Sequence, residues 1–204
     1  MKRIVVGVIL AGLAAGCGGG EVTDVGAQDR LSALLHKDPN LPEGFSAHAQ
    51  QAWRVPFAAD SRQCRAVLAP AGGHAPPRAL TAQAAASFPG DGLGEVVAVG
   101  LAEYSGSEAE WHIDDLSKAL AGCRGVRTGD GTDLRLRRTT VRGVGDEAVG
   151  GELRGKLAGY PYALDVMLVR QGNTLVSLVH TGMTDVDAAR TRQLLGAVVG
   201  MTSA

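Results

Sequence analysis

Three cysteines, five histidines and a few charges set in apolar surroundings are the residues of this 204-residue chain whose types could do chemistry. Setting Cys17 aside, for reasons given below, Cys64 and Cys123 remain, and an even number in an exported protein reads as one disulfide. Closing a loop of about 60 residues would stabilise the fold by roughly 4 kcal/mol in the chain-entropy picture. The other reading of the pair is two buried free thiols. His36, His48, His74, His112 and His180 show no H-x-x-x-H spacing and there is no Cys-x-x-Cys, so no metal ligand set and no cofactor are expected.

Gly143-Val144-Gly145-Asp146-Glu147-Ala148 fits G-x-G-x-x-A in letters. A dinucleotide site needs that run between a strand and a helix, and here a strand follows, so the run reads as a turn. Neither a phosphate loop, a G-x-S-x-G elbow nor an H-E-x-x-H motif occurs, and no catalytic nucleophile–base pair can be named, so no enzyme is expected. Asp130 and Asp133 are too few ligands for a calcium loop and read as a polar turn. Arg135 and Arg137 alternate with Leu134 and Leu136, with Arg138 and Arg142 nearby. An anionic ligand or lipid headgroup could use that row; a solvated strand face, or an edge protected by charge, is the plainer reading. Asp165 interrupts an apolar strand and is expected to pair with an arginine on a neighbouring strand, because an isolated buried carboxylate is costly. Trp111 lies one position off a helical stripe and is expected to be half-buried, with a pocket-lining role as the alternative.

The chain opens with Met1-Lys2-Arg3 and an apolar run over 4–15, too short to span a bilayer as a helix. A charged start, a short apolar stretch and small residues at its end describe a secretory signal peptide. Leu13-Ala14-Ala15-Gly16-Cys17 resembles the lipobox of bacterial lipoproteins, in which the cysteine thiol takes a diacylglycerol and becomes the first residue after cleavage. The alternative is an ordinary secretory signal with a free thiol nearby. Residues 1–16 are therefore expected to be a signal peptide, 17–23 the acylated Cys17 with a glycine-rich tether, and 24–204 the folded domain. The expected location is the extracytoplasmic face of the cell membrane, held there by the lipid.

The elements that must position these residues are legible in the periodicity. Apolar residues make up 45% of the chain and charged residues 20%, enough for one core, and the formal net charge of -1 argues against nucleic acid as a partner. Leu31, Leu34 and Leu35 mark a helix, and Cys64, Val67 and Leu68 a second, short one. Ser107 and Glu110 form a capping-box pattern ahead of the stripe Ala109, Ile113, Leu116 and Leu120. A closing helix is expected from Thr184, with Asp187 at the capping position and Leu194, Leu195, Val198 and Val199 as its buried stripe. Alternation predicts strands over 82–88, 95–104, 132–141, 147–157, 160–171 and 174–181. The expected architecture is a single α+β domain: a mainly antiparallel sheet of about six strands, packed by two or three helices on one face, with one disulfide.

Several stretches together resemble the actinobacterial sensor-domain-like lipoproteins, which are similar to the extracellular sensor domain of a Ser/Thr protein kinase of the same bacteria. They are Asn40-Leu41-Pro42-Glu43-Gly44-Phe45, the short helix at Cys64, the helix end Leu120-Ala121-Gly122-Cys123, the turn 143–148, and Val169-Arg170-Gln171-Gly172-Asn173-Thr174-Leu175-Val176 before a terminal helix. The likeness covers roughly residues 38–200. It implies an α+β fold sandwiching a cleft that binds a small ligand without transforming it. Of the kinase sensor's two disulfides it implies the one between Cys64 and Cys123. With no kinase domain in the chain, any signalling is expected to run through a partner.

The function expected from these readings is that of a lipid-anchored envelope protein binding a small hydrophobic or amphipathic ligand, or an envelope protein partner. The rival readings are an interaction subunit without a ligand cleft and, behind it, a cell-surface hydrolase. No residue can be assigned to ligand binding from sequence.

Overall fold

The computed structural model describes residues 24–37, 41–59 and 61–202. The expected signal peptide, the acylated Cys17 and the tether to residue 23 lie outside the described residues.

Strands β6 (Tyr160–Gln171) and β7 (Thr174–Gly182) explain the layering. Ala163, Leu164, Val166, Met167, Leu168 and Val169 are all buried, and so are Leu175, Val176, Leu178 and Val179. Strands that are apolar on both parities need a layer above and a layer below. Both are supplied. The sheet runs β1-β2-β7-β6-β5-β4-β3 with every neighbouring pair antiparallel. The remaining strands are β1 (Leu80–Pro89), β2 (Val96–Tyr104), β3 (Gly125–Arg127), β4 (Asp133–Thr139) and β5 (Glu147–Leu157). Helices α1 (Val25–His36) and α4 (Ala188–Thr202) cover one face, which buries Val97, Val99, Leu101, Met167, Val176 and Leu178. Helices α2 (Arg62–Leu68) and α3 (Glu108–Gly122) cover the other, over Ala98, Ala102, Leu164, Val166, Leu168 and Val179.

The α+β antiparallel fold and the disulfide are as expected. Three details are corrected: four α-helices pack the sheet rather than two or three, both faces are covered rather than one, and there are seven strands rather than about six. The extra strand, β3, has three residues, too few to show alternation.

Local chemistry accounts for most of the helix starts. The Asp24 carboxylate accepts from the Ala27 amide (3.0 Å), ahead of the buried Ala27, Leu31 and Leu35. Helix α4 begins at Ala188 rather than at Thr184 as expected, and Asp187 caps it by accepting from the amide of Ala189 (2.7 Å). The capping box expected at Ser107 does not form: the residue sits at φ -99°, ψ 16°, away from the extended geometry that aims a hydroxyl back at the first turn. Trp111 is 58% exposed rather than half-buried. On the α2/α3 face, a short 3₁₀ turn (Ala69–Gly72) lies directly on β2, where a side chain at Gly100 would collide with the Pro70 carbonyl.

Cys64 and Cys123 are bonded, both buried, with Cα atoms 4.8 Å apart and a separation of 59 positions in sequence. The bond ties the first turn of α2 to the residue that follows α3. Replacing both cysteines by alanine should cost about 2–4 kcal/mol, read as a lower urea midpoint at unchanged slope. An unchanged midpoint would show that the staple contributes nothing to stability.

Candidate functional site

The face under α1 and α4 is not closed along its whole width. On β4 and β5 it presents Arg135, Arg137, Glu152 and Arg154, the alternate positions to Leu134, Leu136 and Leu153. An apolar helix gains nothing by lying on charges, and α4 packs instead on β6 and β7. The connection between β4 and β5 folds back over the gap. Gly150 makes room for it: a side chain there would collide with Met167, Thr139 and Val141.

A cleft of about 590 Å³ results, within the usual range for small-molecule sites. Val141, Val144, Met167, Ala188 and Leu195 give it aliphatic walls; Arg142 comes from the β4–β5 connection and Arg192 from α4. Glu152, Asp165 and Thr191 also line it.

Asp165 begins a polar chain that crosses the otherwise apolar face. It is 1% exposed, and the Arg154 guanidinium from neighbouring β5 sits 2.7 Å from its Oδ1. This is the cross-strand arginine that the sequence reading required. The Thr191 hydroxyl of α4 donates to its Oδ2 (3.0 Å). The same hydroxyl lies 2.9 Å from His180 Nδ1, and His180 Nε2 lies 3.0 Å from Glu95 Oε1. Arg190 Nε stands 3.3 Å from that Glu95 oxygen, while Arg190 Nη2 meets Asp91 (3.1 Å) and donates to the Glu43 carbonyl (3.2 Å). The Arg190 guanidinium also lies 4.4 Å over the Phe45 ring, which makes a T-shaped contact with the His180 ring. Gly44 is required at this point, since its φ is +91° and a side chain would run into Arg190 and Asp91.

Thr191 with His180 is the one place among the described residues where a hydroxyl meets an imidazole, the first half of a nucleophile–base pair. The Thr191 residue is 0% exposed and its hydroxyl also faces the Asp187 carbonyl one turn back (3.1 Å). That hydroxyl is committed to Asp165 and the Asp187 carbonyl, and the arrangement serves to seat α4. Among the described residues no group of three His, Cys, Asp or Glu side chains could hold a metal ion.

The arginine row divides. Arg135 and Arg137 are exposed, Arg137 facing Glu152 at 3.6 Å; Arg138 has the opposite parity; only Arg142 reaches the cleft. Sequence reasoning had no reason to single out Arg192, Thr191, Arg190 or Glu95. The 143–148 run is a turn leading into β5, with Gly143 and Gly145 at positive φ.

Burial holds the His180 imidazole below its usual pKa of 6.5, and this outweighs Glu95 and Asp165, which favour the charged ring; Arg190 works with burial. Below pH 6.5 the unfolded chain therefore binds the proton more readily than the folded one, so stability falls as pH drops through that window. In a His180→Gln variant, the loss of Tm between about pH 7.5 and about pH 5.5 should shrink relative to the parent. An equal loss in both proteins would remove His180 as a source of acid sensitivity.

The fold is shared with solved actinobacterial structures. The extracellular domain of PknH from Mycobacterium tuberculosis superimposes with a TM-score of 0.60 at 14% identity, over 87% of this chain and 97% of that domain. A Mycobacterium smegmatis protein described as the Rv0999 ortholog gives a TM-score of 0.51 at 17% identity, over 86% of this chain and 96% of its own. No protein-family model matches the sequence, and no curated protein matches it.

Proposed function

We propose that this chain is a non-catalytic lipoprotein of the cell envelope, carried on the membrane by acylated Cys17, that binds a small hydrophobic or amphipathic molecule in the cleft between β4–β6 and α4. The observation that carries this reading is the cleft itself. It is open to solvent and walled by aliphatic side chains, and its floor carboxylate, Asp165, is already held by Arg154 and Thr191. A floor whose carboxylate is already ion-paired and hydrogen-bonded without a ligand is preformed, so binding spends little on ordering it. The fold it shares with an extracellular kinase domain supports an extracytoplasmic setting. No helix among the described residues is long and apolar enough to cross a membrane, and in this reading the acyl chains do the anchoring. Signalling, if the ligand triggers any, passes to a partner protein in the envelope. The cleft is also what separates this reading from that of an interaction subunit, which needs none.

Two experiments test separate halves. Cys17→Ala should move the protein from the membrane fraction to the soluble fraction of its host; retention on the membrane would show that the anchor is not Cys17. Native mass spectrometry of protein purified from its own host should show an added mass that organic solvent removes and that a Val144→Trp variant, with the cleft filled, does not carry. A bare mass in the parent protein would shift the reading to the interaction subunit.

A further inference from the structure

We infer that the cleft selects a single-chain amphiphile with an anionic head, the head held by Arg142 and Arg192 and the chain laid along Val141, Val144, Met167 and Leu195. This rests on the ligand-binding reading above and adds the ligand's charge and shape.

Arg30, Arg78, Arg127, Arg137, Arg154, Arg170 and Arg190 each stand 2.7–3.6 Å from a carboxylate. Among the described residues, Arg142 and Arg192 have no such partner, as is also true of Arg135 and Arg138, but Arg142 and Arg192 are the arginines that line this cavity, from opposite elements, the β4–β5 connection and α4. The two carboxylates of that cavity are in the reverse situation. Asp165 is neutralised from behind by Arg154, and Glu152 faces Arg137. The field inside the cleft is therefore positive, although its lining holds two acids and two bases.

A guanidinium presents a planar fork of donors that fits the oxygens of a carboxylate or phosphate, and such charge-assisted bonds are stronger than neutral ones. The walls add the second requirement. A small hydrated anion would leave the aliphatic side chains wet, whereas an alkyl chain removes their surface from water at about 25 cal/mol per Å². One molecule satisfies both when an anionic head and an aliphatic chain are joined. A fatty-acid carboxylate and an alkyl or lysolipid phosphate share that chemistry.

The test uses the full chain carrying Cys17→Ser, so that no acyl anchor competes, and follows the methyl resonances of Val144, Met167 and Leu195 during titration below micelle-forming concentrations. The probes are octanoate, octyl phosphate, octyl glucoside, octyltrimethylammonium and inorganic phosphate. Octyl phosphate, octanoate or both should bind roughly tenfold or more tightly than the neutral and cationic probes and than inorganic phosphate. Which of the two anions wins distinguishes a phosphate from a carboxylate head. Arg142→Ala with Arg192→Ala should erase that preference while leaving the octyl glucoside affinity unchanged. Equal binding of all four alkyl probes, preference for the cation, or a double variant that keeps the anion preference would overturn the headgroup assignment and leave the ligand cleft standing. Inorganic phosphate binding as tightly as octyl phosphate would overturn the amphiphile. Failure of every alkyl probe to bind would remove the ligand-cleft reading together with this one.

Discussion

The position of α4, and with it the existence of the cleft, depends on one buried arrangement: Asp165 and His180 side by side on β6 and β7, both reached by Thr191. A carboxylate and an imidazole at 1% exposure would be strongly destabilising if left alone. Each is made tolerable by a group that only the native fold delivers: Arg154 from β5 for the one, Glu95 from the start of β2 for the other, and the Thr191 hydroxyl for both. Apolar contacts alone let a helix slide or rotate on a sheet at little cost. A hydroxyl that must meet two fixed polar groups does not, because any displacement leaves buried polar atoms without partners. The apolar stripe of α4 drives it onto the sheet, and Thr191 fixes where it stops.

The network also links parts of the chain that are distant in sequence. From Arg154 it passes through Asp165, Thr191, His180 and Glu95 to Arg190, and from there to Asp91 and the Glu43 carbonyl. The segment around Gly44 and Phe45 has little regular structure of its own, and it is held by this chain of contacts and by a bridge between Phe45 and Gly90. On the opposite face the disulfide does the comparable job for α2 and α3. One face is fastened covalently and the other by hydrogen bonds, and the cleft lies on the face whose fastening can respond to pH.

Much of this was legible in the sequence, and the misses have physical causes. Asp165 stood out because a carboxylate in an apolar strand must have a cation, and Arg154 proved to be it. The two-residue turn Gly172-Asn173 was also readable, and with Gln171 opposite Thr174 the antiparallel count places Asp165 opposite His180. The imidazole could therefore have been located from the turn alone. The second layer was missed for a related reason: an alternation over 160–171, which picks out Leu164, Val166 and Leu168, hides that Ala163, Met167 and Val169 are apolar too, which is the mark of a strand covered on both faces. Thr191, Glu95 and Arg190 left no local signal. A threonine one turn into an amphipathic helix looks like any other, and its role exists only once α4 is docked. Trp111 and Ser107 failed in the other direction, since a residue type suited to packing or capping was read as if the geometry must follow.

The cleft follows from charge placement more than from any special loop. Had Glu152 and Arg154 been apolar, β5 would have offered α4 the same surface that β6 and β7 do, and the helix would have had every reason to lie across all three strands. Charges at those positions keep an apolar helix away, while cross-strand pairing keeps the charges from unfolding the strand: Arg137 opposes Glu152 directly, and Arg154 reaches Asp165. The gap left beside α4 is then roofed by the β4–β5 connection, which fits because residue 150 is glycine. Arg142 and Arg192 belong to this roof and to the helix flank, the two parts of the cleft not committed to holding the sheet together. They are therefore the groups that can change partner without cost to the fold, and a ligand-binding surface needs groups of that kind.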